Sequence, residues 1–474
     1  MPPRYDVICI GGGSAGMIVA QSGPTIGIKT AVVERDRIGG DCLWTGCVPS
    51  KALIASARAA WSVRTAGKFG IKVSGYEVDT AAVWDRIRVI QQQIAEEDDN
   101  ADKFREMGSD VYFGAGKITG PHTVQVGDQT LESEYILIAT GSRAAHPPIP
   151  GLEEAGFLTS ENIFTLEKAP ESLVVIGGGP IGTEIAQSFV RLGKKVTMLQ
   201  RAGRILERDE PELVEILMGR LREEGLEIIT GAKIESVETD GDQRIVVGSV
   251  DGEPKRWSAE HVLVAAGRSP NIEGLGLEEV GIKTNKRGIE VDNRLRTTVP
   301  SIYAAGDVAG RYLFTHSAAF EAIRALRNMF YALWKNAPDL VPWATFTEPE
   351  LAHIGMTIAE AREKHGDKVQ VWRQPLTHSD RARAEGQTEG MFLVVTGPGK
   401  KILGAHILAP AAGELIGEFT LAISKGLALS PDLANMIHVY PTFASSNLQL
   451  ASAATNDNLH SGVNKLARRL SWIG

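Results

Sequence analysis

Cysteine is scarce in this chain: three occur in 474 residues, Cys9, Cys42 and Cys47. So few exclude a secreted disulfide scaffold, and no second pair exists to complete a structural zinc site. Long apolar runs are missing too. Segments such as Leu-Val-Val-Ile-Gly-Gly at 173–178 are strand-sized, far short of the roughly 18 residues a membrane span needs. No basic block occurs and the net charge is −8, which argues against nucleic acid as a main partner. Low-complexity segments are absent, and a strand-like run begins at Tyr5, leaving no room for a signal peptide. These absences predict a cytoplasmic protein whose cysteine pair serves chemistry rather than structure.

What is present is an ordinary globular composition rich in glycine. At roughly 100–200 residues per domain the length suggests about three domains. Tyr5–Ile10 reads as a buried strand, followed by a glycine-rich turn, a helix-like stretch and a second strand, Thr30–Glu34: a βαβ dinucleotide unit. The pattern recurs from Ser172. Residues 52–110 read as long helices and 316–336 as another. From about 341, alternating strands precede helices, as in a separate α+β domain. Boundaries are expected at 1–150, 151–270, 271–340 and 341–474. The fold class is α/β, with two Rossmann-like dinucleotide-binding domains and a C-terminal α+β domain.

The first fingerprint is Gly11, Gly13 and Gly16 in Gly-Gly-Gly-Ser-Ala-Gly. Such glycines let a pyrophosphate approach a helix N-terminus. Glu34 ends the next strand, where an acid hydrogen-bonds a ribose 2′-hydroxyl. The second fingerprint is Gly177, Gly179 and Gly182. Here Gln200 stands where the first unit has Glu34, and Arg201 and Arg204 follow. A carboxylate repels a 2′-phosphate and arginines pair with it. NADPH is therefore expected over NADH.

Cys42 and Cys47 lie in Gly-Gly-Asp-Cys-Leu-Trp-Thr-Gly-Cys-Val-Pro-Ser-Lys, residues 39–51. In a regular helix, positions five apart are roughly 8–9 Å apart at Cα, whereas a disulfide needs less than about 7 Å. Bridging requires irregular backbone, which Gly46 permits. Pro49 suits the first turn of a following helix, whose dipole would lower the Cys47 pKa. Cys9, inside an apolar strand, reads as a core thiol.

Taken together, the cysteine segment, the two fingerprints, Ile-Ala-Thr-Gly at 138–141, Ala-Ala-Gly-Arg-Ser-Pro-Asn at 265–271 and Ser-Ile-Tyr-Ala-Ala-Gly-Asp at 301–307 resemble the pyridine nucleotide–disulfide oxidoreductases, in order and to about residue 445. The resemblance implies FAD on the first fingerprint, with Gly40, Thr140, Gly141 and Gly267 in nucleotide-binding segments and Asp307 on the ribityl chain. It implies that Cys47 is the thiolate against the flavin, that Cys42 exchanges with substrate, and that Lys51 pairs with Glu184. A homodimer is implied, with the C-terminal domain completing the partner's site.

Departures matter as much. Most disulfide reductases of the family carry an acid/base His directly before a Pro-Thr pair and a Glu five residues later. Tyr440 and Ser445 hold those positions here, and a phenol with pKa near 10 is a weak base at neutral pH. His438, two residues upstream, could face the same side of an extended segment and replace that base; a packed structural role is the leading expectation. Tyrosine at this position is similar to mercuric reductase and soluble transhydrogenase. The former adds a C-terminal cysteine pair that this chain lacks; the latter lacks the intact redox pair that it has. His316 is expected to pack near the flavin; 378–381 resembles a stretch of the mercuric-reductase-like group and reads either as a surface loop or as a functional segment; Lys465–Gly474 reads as a short helix docked on the dimer, with a membrane or partner contact as the alternative. The expected reaction passes a hydride from NADPH through FAD and Cys42–Cys47 to a small-molecule or small-protein acceptor: a disulfide, a quinone or a metal ion. Dihydrolipoamide dehydrogenase activity, transhydrogenation and a non-catalytic nucleotide-binding role are the alternatives.

Overall fold

The computed structural model describes residues 2–332 and 335–460, so Lys465–Gly474 lie outside the described residues. The chain divides into two compact units. The first comprises 1–177, 191–195 and 234–339; the second comprises 178–190, 196–233 and 340–474.

The first unit is built on a seven-stranded sheet. Arg4–Ile10 lies at its centre, parallel to Thr30–Glu34 on one side and to Gln129–Ile138 on the other. Ile302–Ala304 returns from far along the chain to pair in parallel with Gln129–Ile138. Strand side chains alternate between faces. Val7, Cys9, Val32 and Leu137 face a core that includes Ala15, Val19, Ala322 and Leu326, on the helices Ser14–Thr25 and Thr315–Phe330. Ile8, Ile10, Val33 and Ile138 face the opposite core. Both faces are covered, so the strands read as continuous apolar runs rather than alternating ones. Cys9 is fully buried in this packing, and burial raises its thiol pKa.

Two helix assignments from sequence need correction. The stretch 52–110 is broken: helices span Cys47–Thr65, Thr80–Glu97 and Ala101–Glu106, and residues 71–79 form neither helix nor strand. Asp79 and Asn100 cap the latter two by accepting from Ala82 and Lys103 backbone N–H groups. The helix expected over 316–336 runs from Thr315 to Phe330 and ends as Tyr331 turns extended. Composition registered helix formers there but not the stop.

The second unit holds a five-stranded antiparallel sheet in the order Trp343–Thr345, Glu350–Gly355, Ile402–Ala409, Met391–Thr396, Gln370–Pro375. Helix Ala412–Lys425 lays Ile416, Phe419 and Ala422 on the core shared with Ile354, Phe392 and Ile407. The same unit contains residues 196–200 of the strand Lys195–Gln200, paired in parallel with Glu227–Thr230 over Thr197–Gln200. No described helix is long and apolar enough to cross a membrane.

Candidate active site

The first fingerprint leaves strand Arg4–Ile10 at Gly11, whose φ is +115°. A Cβ on Gly16 would sit 1.9 Å from the Gly11 carbonyl oxygen, so only glycine lets helix Ser14–Thr25 start this close to the strand. That helix has no acid in its first turn and no side-chain cap, so its N-terminal N–H groups are offered to an anion. Glu34 accepts from the Gly12 N–H at 2.6 Å and from the Asp36 N–H at 2.8 Å. The residues present therefore fit a dinucleotide: a close backbone approach, an open helix terminus and a carboxylate at the strand end.

The cysteine segment is seated directly on this turn. Gly39 N–H donates to Gly12 O at 3.0 Å, and Gly40 lies against Gly13. Cys42 belongs to a short helix, Gly40–Trp44, and Cys47 begins the 19-residue helix Cys47–Thr65. Between them Gly46 takes φ −119°, ψ −105°, neither helical nor extended. The irregular backbone expected from spacing lies here, and Pro49 falls in the first helical turn.

Both cysteines are free thiols. Cys42 donates a hydrogen bond to Cys47, which pulls the Cys47 pKa down to about 6 against the cost of burial; Thr315 and the Lys51 charge lower it further. The same bond, with burial, pushes the Cys42 thiol far up. The two thiols are thus polarised, Cys47 ionising more readily than Cys42. Thr315 Oγ1 lies 3.3 Å from Cys47 Sγ. It opens helix Thr315–Phe330 as Cys47 opens Cys47–Thr65, so two helices begin beside one sulfur, a placement that favours negative charge there. Lys51 is half-buried one turn along from Cys47. His316 stacks on Phe314 with ring centroids 5.3 Å apart.

Asp307 is held in a network of the same unit. It accepts from Ser142 Oγ at 2.5 Å and lies 3.6 Å from Arg268 Nε, while Arg268 Nη2 reaches Asp41 Oδ2 at 3.1 Å. Burial raises its carboxyl pKa. Thr140 and Asn271 clamp one another: Thr140 Oγ1 donates to Asn271 O at 2.7 Å, and Asn271 Nδ2 donates to Thr140 O at 2.9 Å. Gly141 accepts from Asn271 N–H at 3.0 Å, and Gly267 accepts from Ala145 N–H at 3.0 Å. Thr315, Ser142, Arg268 and Asp41 were missed by sequence reasoning. Thr315 is 268 positions from Cys47, and only its place beside His316 hinted at it.

Within the second unit, Gln200 Oε1 accepts from the Gly178 N–H at 2.9 Å, and Gln200 Nε2 donates to Glu207 Oε1 at 2.9 Å. Arg204 turns inward, Nη2 donating to Glu207 O at 2.6 Å, whereas Arg201 is exposed. Gly179 and Gly182 flank the start of helix Pro180–Arg191. Gly177, in the first unit, has φ +112°. Glu184 is buried, and its Oε1 accepts from Phe346 N–H at 3.0 Å.

Tyr440 is 71% exposed, and its hydroxyl donates to Asp380 Oδ2 at 2.8 Å. That bond raises the phenol pKa further. His438 Nε2 lies 3.1 Å from Glu418 Oε1 with its side chain buried, which makes it an anchor to helix Ala412–Lys425. Ser445 Oγ donates to Thr442 O at 2.6 Å, closing a turn.

A parallel-sheet nucleotide unit with a polarised dithiol seated on its phosphate turn defines a flavin-type disulfide oxidoreductase. Residues 5–322 match the family "Pyridine nucleotide-disulphide oxidoreductase", and 341–451 match its dimerisation domain. The chain belongs to that family. It is 36% identical over 450 residues to a mercuric reductase of Bacillus cereus, covering 94% of this chain and 71% of that protein. It is 34% identical over 481 residues to a dihydrolipoyl dehydrogenase of Bacillus subtilis (strain 168), covering 97% of this chain and 100% of that protein. Among solved structures it resembles the Cu(II) complex of the HOCl-induced flavoprotein disulfide reductase RclA from Escherichia coli. The TM-score is 0.83 at 28% identity, over 95% of this chain and 99% of that one.

Proposed function

We propose that the protein is a cytoplasmic, homodimeric, FAD-dependent oxidoreductase that takes electrons from NADPH in preference to NADH. It would deliver them through Cys42 and Cys47 to a disulfide, a quinone or a metal ion. One observation carries this reading: Cys42 and Cys47 flank the start of helix Cys47–Thr65 with Thr315 Oγ1 3.3 Å from the Cys47 sulfur, and the interaction between the two thiols favours ionisation of Cys47 over Cys42. A thiolate next to a protonated thiol is a dithiol ready to release two electrons as the disulfide forms.

Gly11, Gly13, Gly16, Glu34, Gly40, Thr140, Gly141, Gly267 and Asp307 would hold FAD, whose isoalloxazine supplies two-electron exchange between nicotinamide and dithiol. Lys51 would hold positive charge near the Cys47 sulfur. Gly177, Gly179, Gly182 and Gln200 would take the nicotinamide dinucleotide, with the exposed Arg201 favouring the 2′-phosphate and Arg204 bracing the turn beside it. Tyr440, given by the second copy, would donate a hydrogen bond to the acceptor or the exchanging thiol. With its hydroxyl on Asp380 it stays protonated and makes a poor base. The metal-ion arm draws support from the relatives named mercuric reductase and from the Cu(II) complex of RclA.

A second reading is dihydrolipoamide dehydrogenase, favoured by full-length relatives of that name. Tyr440 argues against it, because oxidising a dithiol needs a base at that position.

The test is anaerobic titration of the purified yellow protein with NADPH and then NADH, followed by turnover with disulfide, quinone, metal-ion and dihydrolipoamide substrates. A long-wavelength band appearing before the flavin bleaches supports the dithiol route. Direct bleaching with no such band removes it, and faster turnover with dihydrolipoamide than with the other substrates favours the second reading.

A further inference from the structure

The turn after strand Lys195–Gln200 carries an acid that the missing strand-end carboxylate does not predict. Gln200 is buried with both ends of its amide engaged, the oxygen by Gly178 N–H and the nitrogen by Glu207 Oε1. Glu207 itself is exposed. Its backbone is fixed, since the preceding Leu206 N–H donates to Gly178 O at 2.8 Å and Arg204 Nη2 donates to Glu207 O at 2.6 Å. The residue ending this strand is the one that meets the ribose 2′ position in a dinucleotide unit. A carboxylate 2.9 Å from its amide nitrogen stands at that same place, and the amide donor is turned to the carboxylate rather than to an incoming phosphate.

The first unit supports this placement. There Gly39 N–H donates to Gly12 O, as Leu206 N–H donates to Gly178 O. Ile38 lies under Gly12 as Ile205 lies under Gly178. By that correspondence Glu207 takes the position of Gly40, which touches Gly13 of the phosphate turn.

We propose that Glu207 is a specificity-determining residue of the nicotinamide site: its carboxylate opposes a 2′-phosphate and tolerates a 2′-hydroxyl, limiting the preference that the arginines confer. Arg204 is occupied as the brace of the turn, so Arg201 is the cation offered to a phosphate. This inference rests on the assignment of the nicotinamide dinucleotide to the second fingerprint made under the proposed function.

The experiment uses the full-length holoprotein and compares wild type, Glu207→Gln and Glu207→Ala. Dissociation constants of NADP+ and NAD+ are measured by titration calorimetry at low and high salt, alongside kcat/KM for NADPH and NADH. Glu207→Gln keeps a polar partner for Gln200 and removes only the charge. Both variants should raise the NADP+ to NAD+ affinity ratio by on the order of tenfold at low salt, as expected for removing one unit charge about 4 Å from a phosphate at a water-exposed rim, where solvent screening approaches that of bulk water, and by less at high salt. A structural role would move both ligands together and leave the ratio fixed. Ratios unchanged within about twofold in both variants overturn the proposal. If wild type prefers NADH and the variants still move toward NADPH, the proposal stands and the NADPH reading falls. If wild type prefers NADPH and the variants leave the ratio unmoved, the outcome is reversed.

Discussion

The two glycine fingerprints repeat one construction with different chemistry at its rim. In the first, Gly12 N–H meets the carboxylate of Glu34; in the second, Gly178 N–H meets the amide oxygen of Gln200. In each, a later backbone N–H, from Gly39 or Leu206, returns to the carbonyl of the same glycine. The chain then diverges. After Gly39 it runs through Gly40 into the dithiol helices; after Leu206 it presents Glu207 and a braced arginine. A duplicated cradle can thus hold two nucleotides while the residues just past the cradle decide what each is used for.

Disabling one copy is the strongest way to break that comparison. Gly16→Val places a side chain where even a Cβ falls 1.9 Å from the Gly11 oxygen, so the purified protein is expected to be colourless. Flavin absorbance per chain reads this directly, and circular dichroism checks that the fold survives. Next in size is Cys47→Ser, which removes the thiolate from the loop that only the first copy carries. Disulfide reduction should fall by about 10³-fold or more, as for loss of a nucleophile acting as part of a unit, while flavin content is retained.

Gln200→Glu turns the second rim into a copy of the first and sharpens the comparison. Two carboxylates would then stand at the 2′ position, and the NADPH to NADH ratio of kcat/KM should fall by roughly tenfold. The smallest effect is expected outside both copies. Tyr440→Phe keeps the ring and removes the hydroxyl bonded to Asp380. Acceptor turnover should drop by about tenfold, from loss of one hydrogen bond to a charged group, with flavin reduction by nicotinamide unaltered.

Much of this was legible in sequence because it is local. Fingerprint glycines, the strand-end Glu34 and the cysteine spacing all lie within short windows where periodicity and turn chemistry operate. Even the irregular backbone at Gly46 follows from the distance a disulfide allows. What escaped depends on distant segments meeting. Thr315 reaches Cys47 because Ile302–Ala304 returns to the central sheet and launches a helix beneath it. The Asp41–Arg268–Asp307–Ser142 network needs four separate segments. Gln200 was read as a missing acid, yet the acid stands seven residues on, placed by a turn whose shape no pattern announces. Arg204 was expected to face a phosphate; tertiary hydrogen bonds to the turn direct it inward.

The central claim is that Cys47 is a thiolate because Cys42 donates to it. Its most direct measurement is the pH dependence of the long-wavelength band in the two-electron-reduced protein. With Cys42 present the band should persist through neutral pH and fade as pH drops through about 6. In Cys42→Ser the band is read with the flavin oxidised; a hydroxyl replaces the thiol as a weaker donor, and the midpoint should move upward. A midpoint near the ordinary thiol value of about 8.5 in wild type, or one that does not move in Cys42→Ser, would contradict the account.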